Sequence, residues 1–243
     1  MRSNQMVASN LMKKQLIESD IRYGAIQKAI RFVNYELIEG DVFEFGLYTG
    51  RSLALLQIAH EEYLKKSIHK INFSRDFIGF DSFKGMFKTN HPRWEDGSFS
   101  TNHSWHPTIK IGEAVTKGKV INFFKTLNLK PPIIIEGSFE KFVKEFLKKY
   151  SRKAAIIHID CDTYENTKLI LENIRGILQE GTVIMFDDWF HYRGYPKYGE
   201  VGAFNEFKSV CKEFSFIDYF NYGTFCKAFI SVIKNGLKAA GGL

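Results

Sequence analysis

The sequence predicts an α/β fold built on a mostly parallel β-sheet that ends in an antiparallel hairpin. Apolar runs alternate five times with segments of helical period along the 243 residues, a pattern typical of parallel sheets with right-handed crossovers. Two of these runs, 156–162 and 182–188, are short, rich in β-branched residues and end in acids, as expected for buried strands. Two final runs flank Asn221-Tyr222-Gly223, a hairpin signal.

The N-terminal half predicts two strands and their helices. Residues 1–39 form a predicted helical extension, because apolar residues recur there at spacings of three and four. Strand 41–45, helix 52–64 and strand 76–81 follow. The next segment has weak periodicity and many His, Trp, Asn, Gly and Ser residues, and we interpret about 86–120 as a lid-like insertion.

The C-terminal half predicts the rest of a single domain that spans residues 40–243. Regular structure is expected to return at Pro131-Pro132. The predicted elements are strand 133–135, helix 138–150, strand 156–160, helix 164–178, strand 182–186, helix 201–214 and the hairpin runs 216–220 and 224–232.

The composition excludes several classes of protein. With 44% hydrophobic and 25% charged residues the chain is typical of globular proteins. No apolar stretch approaches the ~20 residues of a membrane-spanning helix, and residues 1–20 lack the apolar centre of a signal peptide. The three cysteines are Cys161, Cys211 and Cys226, an odd number without C-x-x-C spacing. Reduced thiols and a cytoplasmic location are therefore expected.

The net charge of +7 does not by itself predict nucleic-acid binding. The lysines are scattered over helix-like segments and are not interleaved with aromatic residues. We expect a solvated basic surface and no nucleic-acid partner. Attraction to acidic substrates or to an anionic membrane surface stays open.

Acidic residues follow both of the buried strands described first. Ligands of open α/β sheets bind at the carboxyl ends of parallel strands, so Asp160, Asp187 and Asp188 are expected to converge in one pocket. Three converging carboxylates repel one another unless a cation neutralises them. The sequence therefore predicts that these three residues bind Mg²⁺ or another hard divalent ion.

The first strand leads into a glycine-containing turn, Glu44 to Ser52, which does not match the G-x-G-x-x-G dinucleotide pattern. Such a turn lets the backbone approach a ligand, although Thr49 and Ser52 equally suit helix capping. Asp81 ends the second strand, where an acid accepts hydrogen bonds from ribose hydroxyls. The segment 136–138 lies where a nucleoside base is expected, and Ser138 is equally suited to cap the next helix.

Taken together, these segments resemble the class I S-adenosylmethionine-dependent methyltransferases, and among them the macrocin O-methyltransferase (TylF/MycF-like) family. The specific patterns are Asp-Ser-Phe-x-Gly from Asp81 and Asp-x-Asp-x-Tyr-x-x-Thr from Asp160. The resemblance covers about residues 40–230. The matching segments are 44–46, 50–52, 81–85, 136–139, 160–167 and 181–188.

The resemblance implies a Rossmann-like, seven-stranded sheet with helices on both faces. It also implies S-adenosylmethionine as methyl donor, Mg²⁺ held by Asp160, Asp187 and Asp188, and a sugar or glycoside hydroxyl as acceptor. The helical N-terminus is a candidate dimer contact. The residues expected to bind the methyl donor are Glu44, Gly46, Tyr48, Thr49, Ser52, Asp81, Ser82, Gly137, Ser138 and Asp160.

The expected chemistry is an in-line displacement in which a hydroxyl oxygen takes the methyl group. A divalent ion lowers the pKa of a bound hydroxyl and fixes its direction of attack. Asp160 is the predicted metal ligand and general base, and His191 is a candidate second catalytic residue that also fits a surface loop.

Further residues were assigned by their position in the sequence. Asp162 precedes Thr163-Tyr164-Glu165 and is predicted to cap the following helix rather than to bind metal. His158 lies inside a strand and is interpreted as a core histidine with satisfied hydrogen bonds. Four aromatic residues are candidates for stacking on a sugar ring or for closing the pocket: Trp94, His103, Trp105 and His106. Glu200 and Asn205 are candidates for the acceptor side.

Two other functions fit part of the pattern. Asp160-Cys161-Asp162 is also the D-x-D of metal-dependent glycosyltransferases, but that function leaves Asp187 and Asp188 without a role. A non-catalytic nucleotide- or glycan-binding module that keeps the fold is the second alternative.

Overall fold

The computed structural model describes residues 2–68, 70–87, 91 and 93–234. It contains a seven-stranded sheet in the order β3-β2-β1-β4-β5-β7-β6, which confirms the predicted fold class. Residues 88–90 and 92 of the lid-like insertion, and residues 235–243 of the predicted domain, lie outside the described residues. The strands are β1 Asp41–Phe45, β2 Phe77–Asp81, β3 Ile133–Glu136, β4 Ala154–Ile159, β5 Val183–Phe186, β6 Phe214–Tyr222 and β7 Cys226–Ile233.

Helices flank the sheet on both faces. A short 3-10 turn, His191–Gly194, follows β5. The α-helices are α1 Arg2–Glu18, α2 Tyr23–Tyr35, α3 Arg51–Lys66, α4 Lys117–Thr126, α5 Phe139–Lys149, α6 Tyr164–Ile174 and α7 Gly199–Val210.

Side-chain alternation along the strands divides the core into two layers. Val42 of β1 belongs to the layer under α2, α3 and α4, and its neighbour Phe43 belongs to the layer under α5, α6 and α7. Both side chains are fully buried. Burial on both faces explains why β4 and β5 are mostly apolar rather than alternating, with His158 as the polar exception in β4.

The strand directions bring the acidic residues to one edge. Strands β3, β2, β1, β4 and β5 run parallel, and β7 pairs antiparallel with β5. Asp81 ends β2, Asp160 follows β4, and Asp187 follows β5. The three carboxylates therefore lie at the carboxyl edge of the sheet, as expected.

Several elements differ from the sequence prediction, among them α6, which ends at Ile174 rather than at 178. Helix α4 lies in a segment where no helix was predicted, although Val120, Phe123 and Phe124 are spaced for one buried face. Helix α7 ends at Val210, because Phe214 already pairs with Ile233 in the hairpin. The hairpin turn lies after Tyr222, since the predicted turn residues Asn221 and Tyr222 are themselves paired.

The described helices include none with the length and apolar character needed to cross a membrane.

The close approach of β1 and β4 at Gly46 yields a stability prediction. Gly46 has φ +94°, and a Cβ there would lie 1.6 Å from the Asp160 carbonyl oxygen. We expect Gly46→Ala to lower the free energy of unfolding by about 3 kcal/mol in urea denaturation. The control is Gly118→Ala in α4, where a Cβ meets no atom within 4 Å and helix propensity improves. Equal stability of the two variants would contradict this packing account.

Candidate active site

A cavity of about 460 Å³ opens at the carboxyl ends of β1 and β4. Its volume lies within the range of pockets for small molecules and cofactors. Both acids and arginines line it, so it suits a ligand that carries charges of both signs. The lining residues are Ser19, Asp20, Ile21, Arg22, Gly46, Leu47, Tyr48, Thr49, Arg51, Ser52, Ser104 and Asp160.

The turn after β1 is locked to Asp81. Tyr48, with φ +45°, donates its backbone N–H to Asp81 Oδ2 at 2.6 Å, and Phe83 donates its N–H to Oδ1 at 2.7 Å. Burial raises the pKa of Asp81, and these two backbone donors oppose that rise. The carboxylate is thereby fixed beside the cavity, with lone pairs left for a ligand hydroxyl.

Side-chain capping does not explain the polar residues of these turns. Helix α3 follows Gly50, which has φ +79° and no side-chain cap. Ser52 instead donates its hydroxyl to the buried Glu44. Ser138 precedes α5 without capping it through its side chain, and Gly137 donates its N–H to the Asp81 carbonyl. These polar groups therefore remain candidates for ligand binding.

The lid-like segment covers part of the cavity. The Tyr48 hydroxyl donates to the Thr101 carbonyl at 2.8 Å and lies 2.7 Å from His103 Nδ1. Arg51 donates to the Trp105 carbonyl at 2.6 Å. His103 and Trp105 therefore contact the turn that lines the cavity, an arrangement compatible with the predicted alternative of closing the pocket.

Arg22 lies between two of the predicted metal ligands. Its Nη1 lies 2.7 Å from Asp187 Oδ1 and 3.9 Å from Asp160 Oδ2. The other side of the guanidinium pairs with Asp20 at 2.9 Å. Although burial acts to raise the pKa of Asp187, Arg22 and His158 hold it well below its usual range. The N-terminal helices thus reach the carboxyl edge of the sheet through one ion pair.

His158 is buried between two carboxylates. Its Nδ1 lies 3.8 Å from Glu44 Oε1, and its Nε2 lies 3.6 Å from Asp187 Oδ1. Burial alone would lower the pKa of the imidazole, but Asp187 and Glu44 outweigh it and raise the pKa to about 10. His158 is therefore expected to keep its proton at neutral pH. It is a core residue as predicted, but the prediction of satisfied hydrogen bonds is wrong, because its Nδ1 has no hydrogen-bond partner among the described residues.

A second group of acids lies farther from the cavity. Asp188 Oδ2 accepts the backbone N–H of Asp162 at 3.1 Å, and its own N–H donates to Glu200 at 2.9 Å. Burial and mutual repulsion raise the pKa of Asp188 well above its usual value, and burial raises that of Asp162 to about 6. Burial likewise raises the pKa of Glu200.

The predicted role of Asp162 as a helix cap is wrong. Thr163 is the N-cap of α6, and its hydroxyl accepts the Asn166 N–H at 3.3 Å. Asp162 has φ +59°, and its Oδ1 accepts the Trp94 indole N–H at 3.0 Å. The left-handed backbone turns Asp162 toward Asp188, and Thr163 takes the capping position one residue later.

Two groups of three side chains in the described residues bring one ligand atom each within 4.8 Å of one another. The first contains His91, Asp162 and His191, and the second contains Glu44, His158 and Asp160. The predicted set of Asp160, Asp187 and Asp188 is not one of these groups.

The remaining candidate residues lie in different surroundings. Trp94 contacts Asp162 and stacks on His91 with ring centroids 5.9 Å apart, and Glu200 contacts Asp188, so both belong to the acid cluster. His106 instead packs on Phe123 in the core at 4.3 Å. Asn205 donates to the Pro196 carbonyl and is only partly buried.

The comparison with protein families decides the identity of the fold. A family model described as macrocin-O-methyltransferase (TylF) matches residues 16–226. The chain belongs to the macrocin O-methyltransferase (TylF) family. The resemblance inferred from the sequence is thereby confirmed, and the chain is a methyltransferase by family. A comparison with curated protein sequences finds no match.

Solved structures agree with the fold of the TylF family. The O-methyltransferase NovP is 18% identical, with a TM-score of 0.60 over 86% of this chain and 78% of NovP. The calicheamicin methyltransferase CalS11 is 20% identical, with a TM-score of 0.59 over 92% and 91% of the two chains. An O-methyltransferase from Bacillus cereus in complex with S-adenosylhomocysteine is 12% identical, with a TM-score of 0.56 over 94% and 91%.

Sequence reasoning missed two residues of this TylF-family site. Arg22 was not singled out, although Asp20 and Arg22 interrupt the apolar period between α1 and α2. His91 lies in a segment without regular period, where no pattern predicts its neighbours. Its ring lies 5.7 Å from that of His191, centroid to centroid.

The charge on His158 yields a test by pH. The imidazole holds its proton up to a pKa of about 10 in the folded chain but only up to about 6.5 when unfolded. Its contribution to the free energy of unfolding is therefore full below about pH 6.5 and is lost as the pH rises toward 10. The stability difference between wild type and His158→Gln should shrink over that interval in urea denaturation.

The control for this measurement is His60→Gln. Burial, followed by the charge of Arg75, lowers the pKa of His60 to about 4, so this residue is neutral throughout the alkaline interval. Its stability difference from wild type should stay constant there. A constant difference for His158→Gln as well would show that His158 is not charged.

Proposed function

We propose that this TylF-family chain transfers a methyl group from S-adenosylmethionine to a hydroxyl of a sugar or glycoside. The observation that carries the proposal is the cavity between the Gly46 turn and Asp160, with Asp81 held beside it by two backbone N–H groups. CalS11, which shares the fold, is also described as a TDP-rhamnose 3'-O-methyltransferase. That description, together with the family, favours a sugar acceptor here.

Two features of the cavity suit the proposed methyl donor: the charges of its lining residues and the open turn at Gly46. The acids Asp20 and Asp160 and the arginines Arg22 and Arg51 line one cavity, which suits the ammonium and carboxylate of an amino acid. Gly46 keeps the turn open, because a side chain there would strike the Asp160 carbonyl. When bound, S-adenosylmethionine supplies a methyl group on a positively charged sulfur that an oxygen can displace.

The other residues predicted to bind the cofactor are assigned to separate parts of the methyl donor. Asp81 and Ser82 are assigned to the ribose, and Gly137 and Ser138 to the base. Glu44 lies behind the turn and holds Ser52. Thr49 is buried at the turn, and we assign its backbone to donor binding.

Asp160 is the proposed general base. It lines the cavity, and burial followed by repulsion from Asp187 raises its pKa well above the usual value. A carboxylate with a raised pKa is a stronger base towards a hydroxyl proton once its own proton has left. His191 lies 3.3 Å from Asp188, and we assign it to the acceptor side of the cluster.

The Mg²⁺ set of Asp160, Asp187 and Asp188 stays a prediction. In the arrangement described above, the guanidinium of Arg22 contacts Asp187 where an ion would have to bind, so the three acids do not fit Mg²⁺ as they lie. No step of the reaction is therefore assigned to an ion at that position. Metal dependence is kept in the proposal with a different set of ligands, argued below.

The two rival functions have less support. A D-x-D glycosyltransferase needs Asp160 and Asp162 on one ion, yet Asp160 lines the cavity while Asp162 binds Trp94. A module without catalysis leaves the raised pKa of Asp160 without a role. Dimerisation through the N-terminal helices stays a prediction.

The methyl donor is tested with Asp81→Asn. The amide lacks the negative charge of the carboxylate that would accept hydrogen bonds from the ribose hydroxyls. A hydrogen bond to a charged group contributes about 1.5–3 kcal/mol. We expect the KM for S-adenosylmethionine to rise about tenfold or more, with S-adenosylhomocysteine formation as the assay. Asp218→Asn is the control, since Asp218 has a 72% exposed side chain in the hairpin. An unchanged KM in Asp81→Asn would reject the ribose assignment.

The general base is tested with Asp160→Asn. We expect kcat to fall by about 10²–10⁴-fold, because general base catalysis contributes that factor. Binding of S-adenosylmethionine, measured by calorimetry, should weaken but remain measurable, because Asp160 also lines the donor cavity, and this separates loss of the base from loss of the fold. Turnover at the wild-type rate would assign the proton transfer to another group.

A further inference from the structure

Five acids at the carboxyl edge of the sheet form one acid cluster: Asp160, Asp162, Asp187, Asp188 and Glu200. Its two ends differ in the positive charge that surrounds them. At the end that faces the cavity, Asp187 and Asp160 lie 2.7 and 3.9 Å from Arg22 Nη1. His158 Nε2 lies 3.6 Å from Asp187. This end therefore holds two basic side chains of the chain itself and has little need of a metal ion.

The other end has acids without such partners. Asp162, Asp188 and Glu200 have no Lys or Arg nitrogen within 4 Å among the residues that the structure describes. Glu200 is fully buried, and its Oε1 has no hydrogen-bond partner. Buried carboxylates without a counter-charge are costly, so this end is where a cation would stabilise the protein most.

Two histidines flank this end. His91, Asp162 and His191 each offer one ligand atom, and the three atoms lie within 4.8 Å of one another. His191 Nδ1 lies 3.3 Å from Asp188 Oδ1 but makes no hydrogen bond among the described residues, so a buried ring nitrogen of His191 is left without a partner at this end. His91 is buried and stacks on Trp94, which in turn holds Asp162.

We propose that His91, Asp162 and His191 bind a divalent transition-metal ion at the acceptor side of the acid cluster. Two imidazoles and one carboxylate match the ligands of Mn²⁺, Fe²⁺, Co²⁺, Ni²⁺ or Zn²⁺ better than those of Mg²⁺, which prefers oxygen. His91 Nδ1 accepts the Arg93 N–H at 3.2 Å. An ion on His91 would replace this hydrogen bond, either by taking the lone pair of Nδ1 or, when bound to Nε2, by moving the ring proton to Nδ1.

The ion has a consequence for the reaction. Its charge would offset Asp162 and Asp188 and leave Asp160 available as a base on the cavity side. This role rests on the proposed function, whereas the binding of the ion does not depend on it. Metal binding and methyl transfer are therefore measured separately.

The binding test uses the full chain stripped of metal and titrated with Co²⁺. Visible absorption and equilibrium dialysis should give one Co²⁺ per chain. We expect His91→Asn and His191→Asn each to weaken binding by about tenfold or more. His103→Asn, which alters a histidine on Tyr48, should leave binding unchanged.

A second measurement needs no variant. The wild-type chain loaded with Cu²⁺ should show coupling to two imidazole nitrogens in pulsed electron paramagnetic resonance. Absence of Co²⁺ binding, or a Cu²⁺ spectrum without nitrogen coupling, would overturn the proposal. Binding that survives both histidine variants but tightens in Arg22→Gln would overturn it too, because it would assign the ion to Asp160 and Asp187. Formation of S-adenosylhomocysteine by the wild type is scored independently and would test only the proposed function.

Discussion

The positive charges of Arg22 and His158 hold the acidic edge of the sheet together. Asp187 is in contact with both, and through them it is connected to Glu44 behind the cofactor turn and to Asp20 between α1 and α2. Three parts of the fold depend on this chain of charges: the turn after β1, the ends of β4 and β5, and the N-terminal helices. A buried carboxylate without such partners would be protonated or would unfold the edge.

This constraint divides the acid cluster by function. Asp160 lines the cavity, and burial followed by repulsion from Asp187 raises its pKa well above the usual value. Asp162, Asp188 and Glu200 lie beyond the two cations, and their partners among the described residues include backbone N–H groups, Trp94 and His191. One edge of the sheet thereby offers a charged cavity for a cofactor on one side and a cluster of unneutralised acids on the other.

The sequence predicted those features that follow from periodicity and strand direction. The apolar runs of β4 and β5 predicted the edge at which Asp160 and Asp187 lie, and the order of the strands placed the glycine turn and Asp81 at that same edge. Side-chain partners across distant segments were not predictable in this way. Arg22 is 165 residues from Asp187, and no local pattern links them. Asp162 was misassigned because Thr163 is an equally good cap, and only the left-handed backbone decides between them.

The central claim is that the methyl group reaches an oxygen of a sugar. It is tested most directly by incubating the chain with S-adenosylmethionine carrying a ¹³C-labelled methyl group and a panel of nucleotide sugars and glycosides. Carbon NMR of the products would then locate the label. The account predicts a labelled O-methyl signal on a sugar, formed together with S-adenosylhomocysteine. A label on nitrogen or carbon, or bound cofactor without transfer to any sugar, would contradict it.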